Sequence, residues 1–142
     1  MKKYVIAVAL LALGSSSAFA DAIKERRDLM KATGAATKAL VPFAKGEAPF
    51  DAAAVKVQLE AYVNSATKFG ALFPDDSKSG GDTTASPKIW EDKAGFQAAI
   101  DKFLADANAA MAATDTASFG AAFGKVTGNC QSCHEVFRVK KS

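Results

Sequence analysis

Cysteine occurs only twice and histidine only once in the 142 residues. A closed zinc site takes four ligands, usually Cys and His, so this chain cannot build one from those residue types alone. No long β-branched alternating run is present, and nothing reads as a strand. A thioredoxin-like redox pair therefore lacks the βαβ setting it needs. No apolar run reaches the ~20 residues of a membrane span. The chain is also short of excess charge. It carries 18 Lys and Arg against 15 Asp and Glu. Two of those cations, Lys2 and Lys3, lie in the first twenty residues, which leaves 16 against 15 in the remainder. A near-neutral chain has no basic field for nucleic acid, and that class is set aside.

The first twenty residues read as a secretory signal peptide. Lys2 and Lys3 supply a positive start, Tyr4 to Leu13 is apolar, and Ala18-Phe19-Ala20 is an A-x-A cleavage site. Cleavage after Ala20 gives Asp21 as the mature N-terminus. Residues 21–142 form one domain by length. With the signal removed, no membrane span is expected.

Four helices are predicted in that domain. The first runs from Asp21 to Leu40, with Ile23, Arg26, Met30, Thr33 and Thr37 on a stripe of mixed polarity. Pro42 is expected to end it, and Lys45 to Pro49 reads as a turn-rich link. The second starts at Asp51 as N-cap and buries Val55, Leu59, Tyr62, Val63, Ala66 and Phe69. It ends near Gly70. Asp75 to Pro87, rich in Ser, Gly, Asp and Thr, reads as a solvated surface crossover. The third runs from Glu91 to Ala113 on Phe96, Ile100, Phe103, Leu104, Ala107 and Met111. Thr114-Asp115-Thr116 breaks the chain and caps the fourth. Phe119, Phe123, Val126, Cys130, Cys133, His134 and Phe137 then follow on one face. Four amphipathic helices with two short links and one longer crossover predict an all-α, antiparallel four-helix bundle.

The fourth helix carries the chemistry. Cys130-Gln131-Ser132-Cys133-His134 is C-x-x-C-H, the attachment pattern of c-type haem. Two thiols must meet two vinyl groups on one porphyrin edge, and an imidazole must lie under the iron. At 3.6 residues per turn the three side chains fall within an arc of roughly 100°. A disulfide across C-x-x-C is the competing reading, but it leaves His134 without a reason.

These residues resemble the class II c-type cytochromes, the cytochrome c′ family, over essentially the whole mature chain. Arg26 to Lys31 resembles the R-x-x-x-M segment of the family's first helix. Lys45 to Asp51 resembles its first link, and Pro87-Lys88-Ile89-Trp90 its way into the third helix. Cys130 to Arg138 fits the C-x-x-C-H-x-x-x-R ending. The resemblance implies a bundle with covalently bound haem c, held by Cys130 and Cys133 with His134 as proximal iron ligand. It implies Arg26 near a haem propionate and Arg138 near His134. Members with methionine at the position of Met30 have it as sixth ligand and are low-spin. Members with an apolar residue there are five-coordinate and bind NO or CO.

The expected function is thus periplasmic electron transfer, with redox proteins of that compartment as partners and no substrate turned over. The alternative is gas binding. A haem enzyme is disfavoured, because the single histidine is already assigned to iron. Met111 is expected to fill core. The resemblance implies a homodimer through the first two helices, and the alanine-rich faces allow either a monomer or a dimer.

Overall fold

A computed structural model describes residues 16–140. The apolar part of the expected signal peptide lies outside the described residues. Helix α1 spans Ser16–Lys45, α2 Ala52–Phe69, the single turn α3 Lys88–Glu91, α4 Lys93–Ala110 and α5 Thr116–Phe137. Two short 3₁₀ turns, Gly70–Leu72 and Asp75–Ser77, follow α2. The long helices pack in the ring order α1, α2, α4, α5 and back to α1. This is the expected four-helix bundle.

The starts of three helices are legible in single residues. Asp51 accepts from Ala53 N at 2.9 Å and Ala54 N at 3.0 Å. Asp92 accepts from Gly95 N at 3.0 Å. Asp115 accepts from Ser118 N at 2.8 Å, and Ser118 Oγ accepts in return from Asp115 N, a reciprocal cap. Each satisfies donors that the first helical turn leaves open.

Four boundaries differ from expectation, the first being the start of α1 at Ser16, ahead of Asp21. Helix α1 continues through Pro42 to Lys45. Pro42 costs the helix one i to i−4 bond, but only its last turn follows. The chain then stops at Gly46, whose φ of 71° places it in the left-handed region. Glu47 N reaches Pro42 O at 2.9 Å and Gly46 N reaches Phe43 O at 3.4 Å, a Schellman stop that needs glycine at this point. The third long helix begins at Lys93, not Glu91, because Asp92 leaves helical geometry at φ −132°, ψ 65° to act as a cap. It ends at Ala110 instead of Ala113, where Ala112 and Ala113 close into tighter i to i−3 bonds.

The crossover is exposed over residues 78–82, as expected of a solvated link, but Ser77 is fully buried and residues 83–86 are half-buried. Thr84 and Ser86 bond to the chain at the end of α5, with Ser86 N to Phe137 O at 3.0 Å and Val139 N to Thr84 O at 2.9 Å. Its composition suggested solvent. Those same Ser and Thr side chains instead satisfy buried polar groups.

Buried side chains form two clusters. One gathers Leu40, Val55, Leu59, Tyr62, Phe119, Phe123 and Val126. The other is smaller: Ala66, Ile89, Phe96, Ile100 and Phe137. At the larger cluster α1 and α5 come close, since a Cβ at Gly120 would stand 3.0 Å from Ala44 O.

Candidate haem site

A cavity of about 810 Å³ opens between the helices. Its walls are mainly apolar: Phe69, Phe73, Ile100, Phe103 and Phe137 are among them. Cys130, Cys133, His134 and Arg138 line it from α5 and the residue after it, and Arg26 and Met30 line it from α1. The sequence-predicted site residues therefore share one cavity. Met111 is not among the lining residues and packs instead against the larger core cluster.

On α5 the apolar face does not run as expected. Phe119, Phe123, Val126, Asn129 and Phe137 are the buried residues, Cys130 and Cys133 are half-buried, and His134 is exposed. His134 lies about 100° round the helix from Cys133 but only about 40° from Cys130 and about 60° from Phe137, so it lines the same cavity from its outer edge. The thiols sit at the edge of the core and the imidazole at the cavity rim.

Cys130 and Cys133 form no disulfide with one another. Burial pushes each of their pKa values up, so they stand as S–H at neutral pH and not as nucleophilic thiolates. An S–H group adding across a vinyl double bond gives a thioether without an oxidant. His134 is exposed as a residue, yet its ring lies against the cavity wall. Desolvation there, with Arg138 second, draws its pKa below the ordinary value. The neutral form is the one that donates to a metal. Arg138 is exposed, and it lines the same cavity as the histidine it perturbs.

The mixed stripe of α1 has a use here. Thr33 Oγ1 donates to Leu29 O at 2.9 Å and Thr37 Oγ1 to Thr33 O at 2.8 Å. Both line the cavity with their hydroxyls turned back on the helix, as does Gly34, which contributes no side chain. Thr37 also pairs with the hydroxyl of fully buried Tyr62 at 2.7 Å. Burial pushes the Tyr62 phenol up to about 12.

Arg26 is only 4% exposed. Its Nη1 donates to Leu72 O at 3.1 Å and Ser77 Oγ at 3.0 Å, its Nη2 to Ser77 O at 2.9 Å and Thr83 Oγ1 at 2.6 Å. The Phe73 ring lies 4.7 Å from the guanidinium carbon. Four of its five donors are thus committed to the crossover, leaving only Nε–H for a propionate. The sequence offered no sign of this.

The residues fit a haem. The cavity volume falls in the range of small-ligand and cofactor sites, its walls are apolar, and the donor set is two thiols, one imidazole and one thioether. Comparison with known proteins agrees. Residues 21–138 match the family described as Cytochrome C′. The chain belongs to the cytochrome c′ family. It is 49% identical to a cytochrome c′ of Rhodopseudomonas palustris over the full length of both chains. It is 37% identical to a cytochrome c-556 of Agrobacterium fabrum, covering 86% of this chain and 84% of the relative. The solved cytochrome c′ from Rhodopseudomonas palustris superposes with a TM-score of 0.81 at 50% identity, covering 86% of this chain and 98% of that one. The protein is a haem protein of this family, with haem c as its cofactor. Among the described residues no helix is long and apolar enough to cross a membrane.

Proposed function

We propose that the protein is a periplasmic electron carrier with His134 and Met30 as the two axial ligands. One observation carries the reading: Met30 of α1 and His134 of α5 line the same cavity, whereas Met111 does not. Bound haem supplies a one-electron couple between ferrous and ferric iron. The chain's residues do the rest. Cys130 and Cys133 anchor the group to α5. His134, held neutral by desolvation and Arg138, offers a nitrogen lone pair. The Met30 thioether is a soft donor, and His/Met ligation raises the potential of c-type centres. Apolar walls keep water away, which also favours the less charged ferrous state.

We read the protein as an electron carrier in preference to an enzyme because its single histidine is assigned to the iron, which leaves no second histidine for acid–base work. The cavity rim beside exposed His134 and Arg138 is the contact face for a redox partner. Such encounters use small, weak interfaces. Export follows from the signal sequence, and the exported chain begins at Asp21, which N-terminal sequencing checks. An oligomer through α1 and α2 belongs to the same proposal only as an open choice between monomer and dimer.

Absorption and electron paramagnetic resonance spectra of both redox states, with and without CO, test the reading. A low-spin iron that takes CO slowly is expected. A five-coordinate, high-spin iron that binds CO freely replaces electron transfer with the second reading, a gas-binding site.

A further inference from the structure

We infer that Arg26 is a positioning residue for the axial methionine: it clasps the crossover, and the crossover ties α1 to the end of α5. The inference rests on the His/Met reading above. Arg26 stands one helical turn before Met30, on the same face of α1. Its fork takes Leu72 O, both oxygens of Ser77 and Thr83 Oγ1. Thr83 Oγ1 also accepts from Ala85 N at 3.1 Å. Ala85 is bridged to Arg138, and flanking bonds join Ser86 N to Phe137 O at 3.0 Å and Val139 N to Thr84 O at 2.9 Å. Phe137 and Arg138 lie one turn beyond His134 on the chain. A continuous set of hydrogen bonds therefore starts one turn from Met30 and finishes one turn from His134.

This set spans the two walls that carry the ligands. A bond between a side chain and a metal tolerates little change in separation, so the walls must be held apart by a fixed amount. Thioether sulfur is a weak donor and gives way first when the separation drifts. An arginine suits the task because its planar fork meets four acceptors from one rigid group. A lysine is a single point donor. Losing the fork also strands Leu72 O and Ser77 O, buried acceptors that then seek water.

The test uses the haem-loaded protein and three variants: Arg26→Leu, Arg26→Lys, and the double change Ser77→Ala with Thr83→Val. The double change weakens the clasp while keeping the arginine, and serves if Arg26→Leu does not fold. Low-spin fraction and the rate of CO binding to ferrous protein are read, with far-ultraviolet circular dichroism as the check on the bundle. All three variants are expected to keep helical content, to gain high-spin iron and to bind CO about tenfold faster, the factor that 1.4 kcal/mol represents. Wild-type spin state and CO rate in the folded Arg26→Leu or double variant overturn the inference. Full rescue by Arg26→Lys overturns it too, because charge alone then suffices. A five-coordinate wild type overturns the His/Met reading and this inference together, whereas a low-spin wild type with unchanged variants overturns only the clasp.

Discussion

Met30→Ala separates the two roles a cavity-lining methionine can have. Met30 is half-buried on α1. Truncation removes Cγ, Sδ and Cε. At about 0.8 kcal/mol per buried methylene, half burial makes the packing loss roughly 1 kcal/mol. That is too little to unfold a bundle, so the variant should be made and loaded with haem normally. The iron should change far more than the fold. With the sixth position open, ferric spectra should shift from low to high spin and the potential should fall, since the thioether favours ferrous iron. CO affinity follows from competition. Apparent affinity is the intrinsic affinity multiplied by the fraction of molecules whose sixth position is open. The ratio of variant to wild-type affinity thus measures the methionine bond, at 1.4 kcal/mol per tenfold. A gain of about tenfold or more is expected from CO titration of the ferrous protein. If the variant keeps a low-spin spectrum and wild-type CO affinity, Met30 is packing only and the ligand assignment fails.

Met111→Ala is the paired control. Met111 is half-buried against the larger core cluster, so thermal or denaturant unfolding should show a loss of about 1–2 kcal/mol, below the ~2–5 of a fully buried methionine. Its iron spectrum should match wild type, and an open sixth position there would move the ligand to α4. Haem should stay with the polypeptide through acid–acetone extraction. Changing both Cys130 and Cys133 to Ala should release it, and a wild-type haem that extracts freely contradicts thioether attachment. Tyr62 is the only tyrosine after Tyr4, and burial lifts it to about 12. The folded state thus holds its proton where an unfolded tyrosine, near 10, has lost it. Stability is unaffected below pH 10 and falls by about 2–3 kcal/mol as pH rises to 12. Spectrophotometric titration of the exported chain should show no tyrosinate until the fold opens, and ionisation near pH 10 in folded protein would falsify the burial argument.

Much of the bundle was legible because local chemistry and long-range packing agree in it. Asp51 and Asp115 cap the helices their sequence neighbours suggested. Val55, Leu59, Tyr62 and Ala66 are buried at their helical spacing. The haem motif announced itself by composition, since the only cysteines and histidine lie within five residues. What stayed hidden depends on partners distant in the chain. Pro42 was read by its local cost, whereas the stop is set four residues later at Gly46, one turn beyond the proline. Asp92 was absorbed into a helix it caps, because an acidic residue near a helix start serves equally inside it or before it. His134 was placed on the cavity face by stepping and does line the cavity, but it stands exposed at its rim and not among the buried residues. Arg26 was assigned by resemblance to a propionate; the bonds it also makes to acceptors 46 to 57 residues further along were not foreseen. No periodicity within α1 reports them.

The two clusters of buried side chains divide labour along the bundle axis. Around Leu40, Tyr62 and Phe119 the helices fit one another directly, with α5 pressed against Ala44 O at Gly120. Around Ile100 and Phe137 the helices instead border a space wide enough for a cofactor. The first end can hold the four helices in register while the second is altered. A lineage of such proteins is therefore able to try different residues at the position of Met30, and with them different iron chemistries, without rebuilding its fold. Amide hydrogen exchange should record the same polarity. Protection should be strongest beside Leu40 and Phe119 and should fall toward the crossover, the part of the molecule that lends itself to change.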